Sequence, residues 1–163
     1  MLRRVSSEYV GVCVDFGNSV ALMENAMEVV EAYAPFAIST HIKDMGVAED
    51  ADGFLLSEVP LGEGYLDLRA MIATLLRANP KIQFNLEMMT RDPLKVPCLT
   101  TKYWATFGER NASDLARALG DIRSHAAKQP LPRITGLSAE EKLRVEDENV
   151  RKCIAYARRE LNL

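Results

Sequence analysis

The sequence predicts an α/β fold with parallel strands, and three observations carry that prediction. Short apolar runs rich in β-branched residues recur at 9–14, 36–42 and 82–88. Segments with helical periodicity lie between them, at 24–33 and 67–78. Strand–helix alternation of this kind implies parallel strands joined by right-handed crossovers. The repeat is short enough for either a barrel or a doubly wound sheet.

Residues 9–14, YVGVCV, read as a strand buried on both faces, with Cys13 as a small buried hydrophobe. The helix at 24–33 presents Met27 and Val30 and is stopped by Pro35. FAISTHI, 36–42, is the second strand, and 45–64 reads as a long polar loop punctuated by Gly46, Gly53, Pro60, Gly62 and Gly64. The helix at 67–78 has Asp67 as its N-cap and Leu68, Met71, Ile72, Leu75 and Leu76 on one face. IQFNLEM, 82–88, is the third strand, followed by a loop of about twenty residues whose Tyr103, Trp104 and Phe107 argue against disorder. A helix over 113–127 is expected to be capped by Ser113, and Pro130 and Pro132 then break the chain. The final charged helix, 138–161, opens on a Ser138–Glu141 capping box and carries Leu143, Val150, Ile154, Ala157 and Leu161 on its apolar side.

The chain's 163 residues suffice for one domain with a sizeable core, and 48% hydrophobic with 26% charged residues is a globular balance. A net charge of −3 argues against a nucleic-acid partner, which demands a basic face. Cys13, Cys98 and Cys153 are odd in number and widely spaced, so neither a disulfide framework nor a zinc ribbon is suggested, and a reducing cytoplasm is expected. No signal peptide or membrane span is evident.

Side chains at the carboxyl ends of neighbouring parallel strands converge on one mouth. Here the three strand ends offer Asp15, His41 and Glu87. Two carboxylates and an imidazole suit a divalent ion such as Mn, Mg, Co or Zn. Each residue has an ordinary alternative. Asp15 in V-C-V-D-F-G-N can simply end a strand at a turn, His41 can be a rim residue, and Glu87 can pair with a lysine. Their recurrence at three corresponding positions is what points to a site.

The blocks V-G-V-C-V-D-F-G-N, T-H-I-K-D, P-L-G-E-G-Y-L-D-L and F-N-L-E, in this order and spacing over about residues 9–90, resemble the second half of the sugar phosphate isomerase/epimerase superfamily, the xylose isomerase-like TIM barrels. The resemblance implies a partial (β/α)8 TIM barrel: its last three strands with their helices, plus C-terminal helices. Residues 1–128 would be the C-terminal half of the barrel and 129–163 a helical extension. It implies that Asp15, His41 and Glu87 are three of four metal ligands. The fourth, a glutamate on a preceding strand, has no counterpart in MLRRVSSE. A full barrel takes about 250 residues, so the chain is expected to be part of a longer protein.

The resemblance further implies a divalent-metal-dependent isomerase or epimerase of a keto-sugar or sugar derivative, working through an enediolate. Glu87 would be metal ligand and general acid/base, Lys43 a catalytic cation, and Asn18 a substrate contact where many members carry His. For Lys43 an exposed pair with Asp44 is the ordinary alternative. Arg91, with Lys95 behind it, is expected to grip an anionic substrate group. A lyase of sugar acids on the same scaffold stays open, as does a non-catalytic half-barrel whose open strand edge needs covering. The expected partner is a small sugar or sugar acid, with no nucleic acid and no membrane. A homo-oligomer or a missing N-terminal half-barrel is also open. A nuclease is disfavoured, because the only histidines are His41 and His125.

Overall fold

The computed structural model describes residues 2–5, 7 and 9–163. The chain runs α1 (Leu2–Val5), β1 (Val12–Asp15), α2 (Ala26–Tyr33), β2 (Ala37–Ile42), β3 (Asp44–Asp50), β4 (Gly53–Val59) and α3 (Leu68–Ala78). It continues through β5 (Phe84–Leu86), β6 (Leu94–Val96), α4 (Thr101–Trp104), α5 (Ala112–Ser124) and α6 (Ala139–Tyr156).

β1, β2 and β5 pair in parallel in that spatial order. The three strands are wound consecutively without a reversal and the sheet is open, as in an arc of a (β/α) barrel. The helices between the strands pack on one face. Val14, Phe16, Val30, Ile42, Met71 and Leu75 are all buried in the resulting core. Phe16 and Leu75 have no exposed surface, and each such side chain stabilises the fold by about 1.5–3 kcal/mol. The opposite face is open along β1, so the first strand is buried on one face and not on two. Near Lys43, past the end of β2, that face is covered, with Glu58 of β4 close by. Val14 takes the helix-facing position. Cys13, one residue earlier, therefore points to the other face and is exposed, contrary to expectation.

Most of the segment 45–64 is not a loop: it is strand up to Val59, and 60–64 form the turn that follows. β3 and β4 form an antiparallel hairpin, and β6 adds to β4 as a second three-stranded sheet. Val47 and Phe54 are fully buried there, with Met45, Leu56 and Val96 beside them. The missed signal is the cluster Asp50-Ala51-Asp52-Gly53 at the hairpin tip, where Ala51-Asp52 form the two-residue turn and Gly53 opens β4 between two runs with apolar residues. The same pairing orders part of the loop after β5. Its aromatics then close onto the body of the fold: the Tyr103 hydroxyl donates to the Ala21 carbonyl at 2.6 Å and the Trp104 indole to the Cys98 carbonyl at 2.8 Å.

The helix starts are mostly as the sequence predicts. Asp67 accepts from the Ala70 amide at 3.0 Å, and Ser138 and Glu141 form the reciprocal box. Asn25 caps α2 through the Met27 and Glu28 amides. α5 differs: Asn111 precedes its first turn without a side-chain cap, and Ser113 lies inside that turn. In α6 the facing residues are Asn149 and Cys153, four apart, while Leu143 is 72% exposed and Ile154 40% exposed. Polar partners draw that line inward. Asn149 donates to the Thr90 hydroxyl at 3.0 Å and Cys153 Sγ accepts from the Leu61 amide at 3.4 Å.

At the junction of β2 and β3 the chain changes sheet. Asp44 is buried and accepts from the amides of Met45 (2.8 Å), Gly62 (2.9 Å), Gly64 (3.0 Å) and Leu66 (3.2 Å). Burial raises the pKa of this carboxyl above the usual carboxylate value, against the pull of the amides. Gly64 is required here because a Cβ would run into the Asp44 carboxylate. Asp44→Ala should lower the unfolding free energy by about 2–4 kcal/mol, since several amides lose their acceptor at once. Urea denaturation would show this as a lower midpoint with an unchanged slope.

Candidate metal centre

The register of the parallel sheet sets the site. Asp15 on β1 lies opposite His41 on β2, which lies opposite Asn85 on β5. Side chains two residues apart on a strand share a face, so Lys43 and Glu87 follow His41 and Asn85 onto the same open side.

Asp15 answers the question its position raises by doing two things with two oxygens. Oδ1 accepts from the amides of Gly17 (3.1 Å) and Asn18 (3.0 Å), which fixes the turn after β1. Oδ2 faces the site, 4.0 Å from His41 Nδ1 and 2.9 Å from Lys43 Nζ. Gly17 completes that turn because a Cβ there would meet the Met45 side chain at 2.5 Å.

Glu87 Oε2 lies 2.9 Å from His41 Nδ1 and 3.0 Å from Lys43 Nζ. That oxygen is buried, and neither nitrogen makes a well-directed hydrogen bond to it. Asp15, His41 and Glu87 each offer one ligand atom, all within 4.8 Å of one another. A buried oxygen that lacks an aligned donor, in a mixed carboxylate–imidazole set, fits a divalent ion. Three protein ligands with an open position is the arrangement of catalytic metal sites.

Lys43 is the centre of the cluster. Its side chain is 1% exposed, and its ammonium also reaches Asn18 Oδ1 at 3.4 Å and Glu58 Oε1 at 4.0 Å. Lys43 and Asp44 are both buried and bond to different groups, so the exposed-pair alternative does not hold. Burial alone would lower the lysine's pKa, but Asp15 and Glu87 outweigh it and hold the group above its ordinary value.

Glu58, on β4, is a residue the sequence reading missed. It is buried, and burial raises its pKa above the usual glutamate value even though Lys43, the Met89 amide and Arg91 oppose the shift. Its Oε2 accepts from the Met89 amide at 2.7 Å, and its Oε1 faces Arg91 Nη2 at 3.4 Å. An acidic residue alone in GFLLSEV was the available signal. The segment after Glu87 is further held from α6, where Glu146 accepts from the Thr90 amide at 2.9 Å.

The structure thus brings together Asp15, Asn18, His41, Lys43 and Glu87, with Arg91 joining at the edge through Glu58. Lys95 does not join them. It sits on β6 opposite Leu55, and its ammonium pairs with Asp50 (3.1 Å) and Asp52 (2.8 Å) at the hairpin tip. That is three residues up the strand from Glu58, about 10 Å. His125 lies at the end of α5, exposed and against Tyr65.

The two roles of Asp15 are separable. Asp15→Ala should be about 1–2 kcal/mol less stable than Asp15→Asn, because Asn retains an oxygen for the Gly17 and Asn18 amides. Thermal melts of the two variants at equal concentration measure the difference.

No family model matches the chain. Over 73 residues it is 38% identical to the 3-oxo-isoapionate decarboxylase of Pectobacterium atrosepticum, a stretch that is 44% of this chain and 26% of the relative. Among solved structures it is similar to a xylose isomerase-like TIM barrel protein from Mycobacterium smegmatis, crystallised with magnesium. That match has a TM-score of 0.48 and 22% identity, over 76% of this chain and 37% of the other. The chain therefore spans about a quarter of the curated relative and over a third of the solved one. Over part of its length, the chain resembles the xylose isomerase-like TIM barrels.

Proposed function

We propose that this chain carries the metal-holding part of an enzyme that processes a keto-sugar or sugar acid through an enediolate. The observation that carries the reading is the convergence of Asp15, His41 and Glu87 from three adjacent strands, with a buried Glu87 oxygen that has no aligned donor. A divalent ion held by these three residues would supply Lewis acidity toward the oxygens of a carbonyl sugar. Lys43 adds a fixed positive charge in a water-poor setting, where it favours negative charge developing on substrate oxygen. Glu87 is the group placed to hold or move a proton at the carbon beside the carbonyl. Asn18 can donate to a substrate hydroxyl through its amide, and Arg91 stands at the rim as an anion contact.

Isomerisation or epimerisation is one outcome of such an intermediate. A specific observation favours the lyase reading, decarboxylation in particular. Moving a proton between two positions calls for a second base. Among the described residues, the other carboxylate beside Lys43 is Glu58; its Oε2 is held by the Met89 amide and its Oε1 stands toward the Lys43 ammonium, so it is placed as a partner of the lysine and not as a second base. Loss of carbon dioxide needs no base to start; it needs an electron sink and, afterwards, a proton donor. The relative named as a decarboxylase supports the same direction.

Two measurements test this. The chain purified without chelator should bind one divalent ion, and Asp15→Ala and His41→Ala should each weaken binding by at least about tenfold. With manganese present, 3-oxo sugar acids in deuterated water should release carbon dioxide and take up deuterium at the carbon beside the carbonyl. Uptake without carbon dioxide release would select the isomerase reading. Neither event, together with no metal binding, would remove the proposal.

A further inference from the structure

Lys43 occupies the oxygens that a metal would need. Its ammonium sits 2.9 Å from Asp15 Oδ2 and 3.0 Å from Glu87 Oε2, the two carboxylate atoms that face the candidate ligand position. A divalent ion on those atoms would meet a positive charge at contact distance, so the ammonium has to move when an ion enters. Its side chain is enclosed and cannot swing to water. Left inside without a partner, it would be an uncompensated buried charge.

One acceptor is placed to receive it. Glu58 Oε1 lies 4.0 Å from Lys43 Nζ, and Glu58 is not one of the three residues that converge on the ligand position. That is about 1 Å beyond a charge-assisted hydrogen bond. The other bonds of Glu58 leave this oxygen available. Oε2 is held by the Met89 amide at 2.7 Å, while the contact of Oε1 with Arg91 is long, 3.4 Å, to a side chain that is half exposed. The Met89 bond also fixes where Glu58 stands, because Met89 follows Glu87 by two residues on the same segment.

We propose that Glu58 is a positioning residue that receives the Lys43 ammonium when a divalent ion takes Asp15 and Glu87, and that it thereby sets the metal affinity of the site. This rests on the metal-holding reading above. It adds that Lys43 has two seats: between Asp15 and Glu87 without the ion, and on Glu58 with it. In the second seat the ammonium stays close to the centre, available to a developing anion.

The test is a manganese titration of the unsubstituted chain and of Glu58→Gln, Lys43→Met and the double variant, each read by calorimetry. Gln is isosteric and keeps an oxygen for the Met89 amide, and a thermal melt without metal confirms that each variant is folded. Glu58→Gln should weaken manganese binding by about tenfold, because the displaced ammonium has nowhere to go. Lys43→Met should tighten it, since the competitor is gone. In the Lys43→Met background, the further change Glu58→Gln should alter affinity by no more than about threefold. An equal loss in both backgrounds would overturn the proposal, as Glu58 would then act through its charge or the fold alone. So would unchanged affinity in Glu58→Gln. No manganese binding by the unsubstituted chain would overturn this and the metal-holding reading together, whereas the first two results leave that reading standing.

Discussion

The carboxylate of Asp44 gathers the amides of Met45, Gly62, Gly64 and Leu66, and the path of the chain on both sides of it depends on those bonds. Asp44 directly follows Lys43, and the pair marks where a parallel barrel strand gives way to an antiparallel hairpin. Alternation along the strand sends the two side chains in opposite directions. Lys43 enters the open face of the sheet, and Asp44 enters the turn that closes behind β4. The hairpin so placed lays Glu58 and Met45 over the lysine, so one buried carboxylate indirectly determines how dry the site is.

A dry site changes what its charges do. Asp15, Glu87 and Glu58 surround one enclosed ammonium. In water such pairs contribute little. Removed from water, each group depends on its neighbours for compensation, and the loss of one is costly. The cluster holds one more negative charge than Lys43 and Arg91 balance, and that imbalance is itself a reason for it to favour a cation. The geometry agrees, since Glu87 Oε2 is buried between the His41 ring and the Lys43 ammonium and aligned with neither.

The final helix supports this arrangement from outside. Glu146 and Asn149 hold Thr90, three residues after Glu87, and Cys153 meets the Leu61 amide in the turn organised by Asp44. The polar stripe of α6 thus faces inward at the two segments that carry the site, which is why apolar periodicity missed Asn149 and Cys153 and put Leu143 and Ile154 on the buried side, while Ala157 and Leu161 do pack on the core.

The sequence by itself determined the parallel strands, the helices between them and the positions of Asp15, His41 and Glu87. These follow from local rules: an apolar run of strand length, a capped amphipathic helix, and polar residues where a strand ends. The motif blocks added the barrel reading, with which the consecutive strand order agrees. What only the tertiary structure decided is everything that depends on a distant partner. Residues 45–64 became a hairpin because β6 and the core covered a surface that reads as loop by composition. Lys95 left the site because its strand pairs beside Asp50 and Asp52. Glu58 entered it because strand β4 crosses above Lys43, some fifteen residues earlier in the chain. The lone acid in GFLLSEV marks Glu58 as unusual but does not say what it meets: its role is set by the ammonium and the amide that fold against it, and neither is a neighbour in sequence.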